Sequence, residues 1–441
     1  MVPIEQGAPE LPEANNGQLS FIKGGEQFLP QKSSNSAPWS ELMAKASHQL
    51  SEALNARHVA FLLGSGTSSL ERNETQVGIS TMAPLAKDFG AGIGKRGNTQ
   101  YLTSTQRQAL ETRFGIDIGV PPYSKNLEKL LEVLYSLRLV LTNSTRGSDK
   151  SGLELVNKSI DKVKAFIFLR CTDGAFAPPI GDEQVLGLYK TFYRKLVFRD
   201  RSLPRPWVFT TNYDLFNETA LDQLGLPYCN GFSGTIQRRF NPATYRYALA
   251  EQIDLTQRRW TTVDGFIYLC KLHGSVSWIE DNNGLYPIRE LQVPSPDGQV
   301  MIYPTPAKQN SSFGAPYSDL FREFQSRIAR EQSVLFTVGY SFGDEHVNNI
   351  IYQSLTIPTF RLVIFASPES SSELAKLRRL NDPRIWFVSG TTPEGAKAHY
   401  FETVVQQLLP SQPTDRIDTA VTEVVEQLIR AKAQPEQAPD E

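Results

Sequence analysis

The stretch HVAFLLGSG, residues 58–66, decides the fold class that this sequence predicts. After His58 it is a short run of apolar residues, and the run stops at a Gly-Ser-Gly turn. An apolar run without polar alternation is typical of a strand buried on both faces of a parallel sheet, and glycines directly after a strand favour a tight turn. We therefore expect a central strand that ends in a glycine-rich turn.

Apolar runs of the same kind recur further along the chain, and helical patterns of suitable length lie between most of them. They occupy residues 207–211, 266–272, 333–338 and 362–365, with 384–388 as a candidate sixth strand. Alternation of buried strands and helices is typical of a sheet with helices on both faces. The sequence therefore predicts an α/β fold with a doubly wound, mostly parallel, Rossmann-like sheet.

The segments outside these strands predict the domain organisation. Residues 1–37 are rich in Pro, Gly, Asn, Ser and Gln, which indicates a flexible N-terminal arm. A helix is expected from Trp39, with Ser40 as its N-cap. Leucines at helical spacing predict a helical insertion subdomain at about 95–200, between the first two core strands. One domain is expected over residues 38–410.

Composition limits the class of protein. The 441 residues carry a formal net charge of -2, so no global field recruits nucleic acid or an anionic membrane. No apolar run reaches the roughly 18 residues of a membrane-spanning helix, and the first residues do not have the pattern of a secretory signal. The three cysteines lie far apart without a CxxC pair, so we expect no disulfide framework and no four-cysteine zinc site. The simplest expectation is a cytoplasmic protein.

The glycine-rich turn after the first strand is a candidate phosphate site. It comprises Gly64, Ser65, Gly66, Thr67 and Ser68. Glycines after a strand allow backbone N–H groups to approach phosphate oxygens closely. A plain tight turn is an equally open interpretation.

Polar residues follow the second predicted strand. Thr211, Asn212 and Asp214 belong to a Thr-Thr-Asn-Tyr-Asp loop that places an amide and a carboxylate at the carboxyl edge of the sheet, where open α/β sheets bind ligands. An amide can hold a water molecule or a ribose hydroxyl. The alternative is that Asp214 only caps the helix that begins near Leu215.

Two further loops carry candidate residues. His273 closes the third strand in a Leu-His-Gly motif and can act as a general base, although a structural histidine is the commoner case. Gly339, Ser341 and Asp344 lie in a Gly-Tyr-Ser-Phe-Gly-Asp turn after the fourth strand, where backbone amides can meet a second phosphate or a ribose. Asp344 is equally suited to cap the next helix.

Taken in this order, the four motifs resemble the sirtuin family over residues 57–408, and within it the bacterial sirtuin-like branch associated with phage defence. The resemblance implies that the turn at Gly64 and Gly66 binds the pyrophosphate of NAD and that Asn212 and Asp214 hold the nicotinamide ribose and its pocket. It likewise implies that His273 is catalytic.

The same resemblance implies that Gly339 and Ser341 lie near the adenosine half of NAD, and we place Ser65, Thr67, Thr211 and Asp344 with the NAD-binding residues. Gly78 and Ile79 match the start of the nicotinamide-side loop of the family. The Pro-Asp-Phe-Arg sequence that usually follows is absent, so the resemblance does not fix the geometry of residues 78–88.

The resemblance implies NAD as the substrate but leaves the acceptor open. Protein-deacetylating sirtuins carry a four-cysteine zinc module, which this chain replaces with the helical interval 95–200. We therefore expect an NAD glycohydrolase without zinc, which cleaves NAD to nicotinamide and ADP-ribose in abortive-infection defence against phage. Rival interpretations are a non-catalytic module that senses NAD or ADP-ribose, a protein deacylase, and a DNA-cleaving enzyme built on Asp344, Glu345 and His346.

The C-terminal residues 411–441 predict an amphipathic helix at 414–432 and a tail. The apolar stripe of that helix must pack on its own core or on another subunit. Relatives in the defence branch work as homo-oligomers and are often paired with a HerA-type hexameric ATPase. We expect a homo-oligomer with a HerA-like ATPase as partner, and contact with nucleic acid only through that partner.

Overall fold

The fold is known from a computed structural model. It describes residues 17–29, 38–72, 75–92, 101–147, 149–176, 180–200, 202–254, 259–281, 288–296, 299–301 and 316–410. The C-terminal helix predicted at 414–432 lies outside the described residues.

The strands alternate with helices along much of the chain. The strands are β1 (Gln18–Lys23), β2 (Glu26–Gln27), β3 (His58–Leu63), β4 (Ser69–Arg72), β5 (Thr75–Gly78), β6 (Trp207–Thr210), β7 (Tyr228–Cys229), β8 (Phe232–Ser233), β9 (Arg238–Phe240), β10 (Ala250–Asp254), β11 (Arg259–Thr262), β12 (Ile267–Lys271), β13 (Gly274–Glu280), β14 (Ile288–Glu290), β15 (Gln299–Met301), β16 (Ser333–Val338), β17 (Arg361–Phe365) and β18 (Ile385–Thr391).

The helices lie mostly between successive strands of the central sheet. They are α1 (Trp39–Leu54), α2 (Met82–Ala91), α3 (Ser104–Phe114), α4 (Leu127–Thr142), α5 (Asp149–Phe176), α6 (Ile180–Val197), α7 (Phe216–Leu224), α8 (Tyr317–Ile328), α9 (Glu345–Ser354), α10 (Ser372–Arg379) and α11 (Phe401–Thr403), with 3-10 turns at Ser65–Thr67 and Pro242–Arg246 and a π-helical turn at Val404–Leu408. None of the described helices is long and apolar enough to cross a membrane.

The central sheet has the order β2-β1-β18-β17-β16-β3-β6-β12-β7 in the described part of the chain. From β18 to β7 every neighbouring pair is parallel. All six predicted core strands are confirmed, with ends that differ by at most a few residues. The chain order reverses between β3 and β16, and such a switch point opens a crevice at the carboxyl ends of the strands.

Successive residues of the core strands point to opposite faces of the sheet, which explains their unbroken apolar runs. Phe61 and Val208 belong to the core under α1–α7 and α11. Leu62 and Phe209 belong to the core under α8–α10. This second core also includes residues of a five-stranded antiparallel sheet, ordered β15-β13-β14-β9-β8.

The prediction of a flexible arm over residues 1–37 is wrong for β1. This strand pairs antiparallel with β18, in register Phe21 with Val388, and Phe21 is fully buried. Leu19 and Phe21 alternate with polar residues, and this short period-two pattern suits a strand that extends an existing edge. The excess of Pro and Gly in the flanking residues obscured it.

The N-cap expected at Ser40 is also wrong. Helix α1 begins at Trp39, and Pro38 occupies the N-cap position without a side-chain hydrogen bond to the helix. Proline is compatible with this position because its φ is fixed at a value that suits the entry into a helix. The predicted helix itself is present, and it buries an apolar stripe that includes Leu42, Ala46 and Leu50.

The interval predicted as a helical insertion contains α3, α4, α5 and α6. Helices α4 and α5 pack against one another, but the interval shares its apolar core with the sheet. The Phe192 ring of α6 lies 5.1 Å from the Phe61 ring of β3, measured between centroids. These helices therefore form a layer on one face of the sheet and lie close to the carboxyl ends of its strands.

Candidate active site

A cavity of about 180 Å³ opens where β3, β6, β12 and β16 end. It is lined by residues of all four predicted motifs and of the surrounding helices: Ser65, Ser68, Ile79, Ser80, Met82, Leu85, Glu128, Ile167, Cys171, Thr211, Asn212, Tyr213, Asp214, His273, Gly339, Tyr340, Ser341, Gly343 and Asp344. The predicted residues that are not in its lining are Gly64, Gly66 and Thr67. The fold thus places eight of the eleven predicted site residues around one cavity at the switch point.

Gly64 and Gly66 pack against the turn after β16. The amide of Gly64 donates to the carbonyl of Val338 at 3.0 Å, and the amide of Gly66 donates to the carbonyl of Gly339 at 3.0 Å. A Cβ on Gly66 would lie 2.8 Å from the Cα of Gly339. Both amides are therefore hydrogen-bonded within the protein. In this structure the two glycines allow the turn after β3 (the first turn) to touch the turn after β16. Their role at a pyrophosphate stays a prediction.

Asn212 is buried, and its amide group holds the first turn in place. Its Nδ2 donates to the carbonyl of Gly64 at 3.0 Å and to the Oγ of Ser68 at 2.9 Å, with Thr67 Oγ1 at 3.3 Å. Hydrogen bonds of this kind fix both the amide and the turn that it contacts. Asn212 is thus a structural residue of the cavity floor as well as a candidate binding residue.

Asp214 is a buried carboxylate on the same floor. Its Oδ2 accepts from the Ser68 hydroxyl at 2.6 Å, and its Oδ1 accepts from the amide of Phe216 at 3.1 Å. Burial raises the pKa of Asp214, and the nearby charge of Lys271 opposes that rise. Leu215 rather than Asp214 occupies the N-cap position of α7, so helix capping alone does not account for Asp214.

Sequence reasoning missed the cation beneath this loop. Lys271 is 1 % exposed, and its Nζ lies 3.0 Å from Oε1 of the buried Glu218. The same ammonium donates to the backbone carbonyl of Tyr213 at 3.3 Å and to that of Asp214. Lys271 thereby ties the strand that ends at His273 to the loop that carries Asp214. A lysine inside an apolar run was a usable signal, because a buried charge needs a partner.

A hydroxyl group from outside the predicted motifs completes the floor. The Oη of Tyr189 lies 2.7 Å from Oγ1 of Thr67 and 3.0 Å from Oγ of Ser68. Tyr189 is fully buried on α6, and burial raises its pKa, so its phenol stays protonated. A buried tyrosine in an amphipathic helix carries no sequence signal that separates it from ordinary core packing.

His273 and Asp344 meet at the opposite side of the cavity. Nε2 of His273 lies 2.9 Å from Oδ2 of Asp344, and both side chains are about nine-tenths buried. This is the separation of an ion pair. No hydrogen bond of good geometry joins Nε2 to a partner among the described residues.

Asp344 also caps α9. Its Oδ1 accepts from the amides of His346 at 2.9 Å and of Val347 at 3.1 Å. The capping interpretation is therefore correct for Asp344, and it coexists with the contact to His273. The His346 ring packs edge-on against Phe321 at 4.3 Å between centroids, and no group of three or more His, Cys, Asp or Glu side chains within the described ranges is placed to hold a metal ion.

Comparison with known families gives one match. Residues 206–385 match the model of the SIR2-like domain. Domains of this type are in general NAD-dependent enzymes. A search of curated proteins found no match. The matched range contains Asn212, Asp214, His273 and Asp344, whereas the turn at Gly64 precedes it.

Helices outside the SIR2-like match close one side of the cavity. Met82 and Leu85 come from α2, Glu128 from α4, and Ile167 and Cys171 from α5. Burial raises the pKa of the Cys171 thiol, so it stays protonated and is a poor nucleophile. The matched region therefore contributes much of the polar lining of the cavity, and the preceding helices contribute a largely apolar wall.

Residues 78–88 contribute to this wall. Gly78 ends β5 with a φ of +79°, and Ile79, Ser80, Met82 and Leu85 line the cavity. A Cβ on Gly78 would lie 2.5 Å from the carbonyl oxygen of Ser68. The close approach of Gly78 to the first turn explains why a glycine is needed where the segment enters the site.

Proposed function

We propose that this chain is a sirtuin-like NAD glycohydrolase that cleaves NAD to nicotinamide and ADP-ribose. The match to the SIR2-like domain supports NAD as the substrate. The observation that carries the proposal is that His273, Asn212 and Asp214 line one cavity. That cavity lies at the switch point of the sheet, where nucleotides bind in folds of this kind.

The proposed reaction breaks the bond between C1 of the nicotinamide ribose and the ring nitrogen of nicotinamide. The bonding electron pair leaves with nicotinamide, and the sugar becomes electron-deficient, as in glycoside hydrolysis. The oxygen of a water molecule then bonds to C1. His273 accepts a proton from that water or from a ribose hydroxyl, and the proton passes to solvent.

Asn212 and Asp214 have distinct parts in this proposal. Asn212 positions the water or the ribose. Its side chain is itself held in place by the hydrogen bond from Nδ2 to the carbonyl of Gly64. The carboxylate of Asp214 stabilises positive charge that develops on the sugar, because its contacts with Ser68 and Phe216 hold it in a fixed position. Such charge stabilisation is strongest in a site from which water is excluded.

The helical interval supports water as the acceptor. Glu128, Ile167 and Cys171 border the cavity on the side of α4 and α5, and an acetyl-lysine substrate needs a groove that admits a peptide. We propose that this interval takes the place of the zinc module of deacetylating sirtuins. A small cavity with an apolar wall suits hydrolysis better than transfer to a protein.

For biological context we propose abortive-infection defence against phage, in the cytoplasm, with activity controlled by assembly. An unregulated NAD hydrolase would drain the cofactor pool of its host. We propose a homo-oligomer with a HerA-like hexameric ATPase as partner, and this rests on the family resemblance. Deletion of residues 411–441, followed by mass measurement in solution, tests whether the predicted C-terminal helix contributes to the oligomer. A constitutively active monomer would contradict control by assembly.

The decisive experiment incubates the purified chain with NAD and, in separate reactions, with an acetylated peptide plus NAD and with DNA. Nicotinamide and ADP-ribose should form in equal amounts without peptide, and His273→Ala should abolish both products. Binding of ADP-ribose without turnover would instead identify a sensing module. Deacetylation of the peptide would identify a protein deacylase, and cleavage of the DNA would identify a nuclease.

A further inference from the structure

We propose that Asp344 is a positioning residue that sets the orientation and tautomer of His273, and not a ligand for the sugar of NAD. This inference deepens the proposed NAD hydrolysis and rests on it for its catalytic meaning. The physical contact between the two side chains is a separate matter that is testable without any turnover.

The carboxylate of Asp344 is held on both of its oxygens. Oδ1 accepts two backbone amides at the start of α9, and Oδ2 lies 2.9 Å from Nε2 of His273. A helix of ten residues with a carboxylate at its N-terminus stabilises the ionised form of that carboxylate. Asp344 is thus a fixed negative charge next to the imidazole.

The turn that carries Asp344 is itself braced. The Tyr340 hydroxyl lies 2.9 Å from Oδ1 of Asn348 and 3.3 Å from the backbone carbonyl of Asp344. Nδ2 of Asn348 donates to the carbonyl of Phe342 at 2.8 Å. A carboxylate braced in this way cannot move toward a ribose without breaking the cap of α9.

The other neighbours of His273 leave Asp344 as its anchor. The rings of Tyr213 and Phe321 lie 6.4 Å and 6.5 Å from the imidazole, measured between centroids. Nε2 of His273 lies 2.9 Å from Oδ2 of Asp344, and catalytic hydrogen bonds are often poorly aligned before a ligand binds. The proton then resides on Nε2.

This arrangement prepares His273 to accept a proton. When Nε2 carries the hydrogen, the lone pair is on Nδ1, because the partner of one ring nitrogen sets the tautomer of the other. The negative charge of Asp344 also stabilises the imidazolium that forms when Nδ1 takes up a proton. The pairing of a buried carboxylate with a histidine base performs the same task in serine proteases.

The kinetic test compares Asp344→Asn with Asp344→Ser. Both variants retain an oxygen that can cap α9, but neither retains the negative charge. If Asp344 acts through His273, kcat for NAD falls by about a hundredfold or more while KM changes by less than about threefold. Glu345→Gln is the matched control, because this neighbouring carboxylate in the first turn of α9 is exposed. It should leave both constants unchanged.

A spectroscopic readout decides the contact itself. The chain has five histidines, and nitrogen-15 labelling of histidine gives ring signals from which that of His273 is identified by its loss in His273→Ala. We expect an Nε2–H form in the native protein and altered His273 ring shifts in Asp344→Asn, with the signals of His48 and His399 unchanged.

Each outcome bears on a different claim. Unaltered His273 signals in Asp344→Asn, or a raised KM with unchanged kcat, would overturn the positioning role and return Asp344 to the ligand-binding residues. Absence of NAD turnover in the native protein would remove the proposed function, while the nitrogen signals would still decide whether Asp344 sets the tautomer of His273.

Discussion

Gly64 and Gly339 lie against each other where two neighbouring central strands end. A Cβ on Gly64 would overlap the carbonyl oxygen of Gly339 and lie 2.6 Å from the Cα of Tyr340. Gly339 has a φ of +63°, and a Cβ there would lie 2.6 Å from the amide nitrogen of Thr67. The two turns therefore fit together only because Gly64 and Gly339 have no side chains. Their contact sets the shape of the cavity at the switch point.

Replacement of Gly64 by alanine should separate these turns. Gly64→Ala forces a methyl group into backbone that cannot rotate away, so we expect a loss of about 1–3 kcal/mol in the free energy of unfolding and weaker binding of ADP-ribose. Gly187→Ala is the matched control, since nothing outside its own helix lies within 4 Å of a Cβ there. Thermal unfolding and calorimetric titration measure both effects, and equal behaviour of the two variants would contradict the contact.

The apolar strands of the sheet could be predicted because a strand that is buried on both faces consists of an unbroken run of apolar residues. The run at 58–63 and its five counterparts needed no knowledge of their partners. Strand β1 could not be predicted in the same way, since only Leu19 and Phe21 are buried within a polar segment. Its stability comes from pairing with a strand more than 360 residues later in the chain.

The residues of the candidate site likewise divide into those that the sequence could predict and those that it could not. Asn212, Asp214 and His273 could be found because each follows a predicted strand, and parallel strands bring their carboxyl ends together. The position of Lys271 in an apolar run signals a buried charge, but the partners of Lys271 and Tyr189 could not be assigned from the sequence, because they depend on distances between separate elements. The distance from His273 to Asp344 likewise exists only in three dimensions.

Alanine at Asn212 and at His273 should separate structural from chemical roles. Both residues follow core strands, and they are only 6 % and 7 % exposed. Asn212→Ala removes the hydrogen bonds to Gly64 and Ser68, so it should lower the free energy of unfolding by about 1–3 kcal/mol and also abolish turnover. His273→Ala should abolish turnover with a smaller loss of stability, because Asp344, which lies next to Nε2, keeps its two backbone hydrogen bonds at the start of α9. Denaturant unfolding compares the two, and a larger loss for His273→Ala would refute this distinction.

The pH profile of NAD cleavage should have an acidic limb set by Asp214. Burial raises the pKa of this carboxyl above its ordinary value of 3.8, and the proposed role needs the ionised form. Activity should therefore fall as the pH drops through that raised pKa, over a range where an ordinary aspartate stays charged. Rates of nicotinamide release from about pH 4 to about pH 8 measure it. Asp214→Asn should be inactive across the whole range.

The same group has the opposite effect on stability. Asp214 binds its proton more tightly in the folded chain than in the unfolded chain, so protonation stabilises the fold. Its contribution is fully present below the ordinary pKa of aspartate and is lost as the pH rises through the raised folded value. Asp214→Asn should remove this part of the pH dependence of unfolding. Lys271 opposes the rise in the pKa of Asp214, so Lys271→Met should shift the acidic limb of the activity profile. A limb that this substitution leaves unchanged would contradict its assignment to Asp214.

Lys271 and Glu218 form a buried ion pair. Lys271→Met leaves Glu218 without its cation, and the loss of one partner from a buried pair costs about 3–5 kcal/mol. The double variant Lys271→Met with Glu218→Leu removes both charges and should recover most of that loss, since apolar residues of similar volume often replace a buried pair without penalty. Lys45→Met is the control, because its partner Glu41 is about half exposed and water screens such a pair.

Stability and activity should respond differently in the double variant. Its fold should recover, but the bonds from Nζ of Lys271 to the carbonyls of Tyr213 and Asp214 are gone. The loop beneath the cavity then loses its tie to the strand of His273, so NAD turnover should stay low although the protein is stable. Urea unfolding and nicotinamide release measured on the same preparations test this. Full activity in the double variant would show that the ammonium of Lys271 serves only to neutralise Glu218.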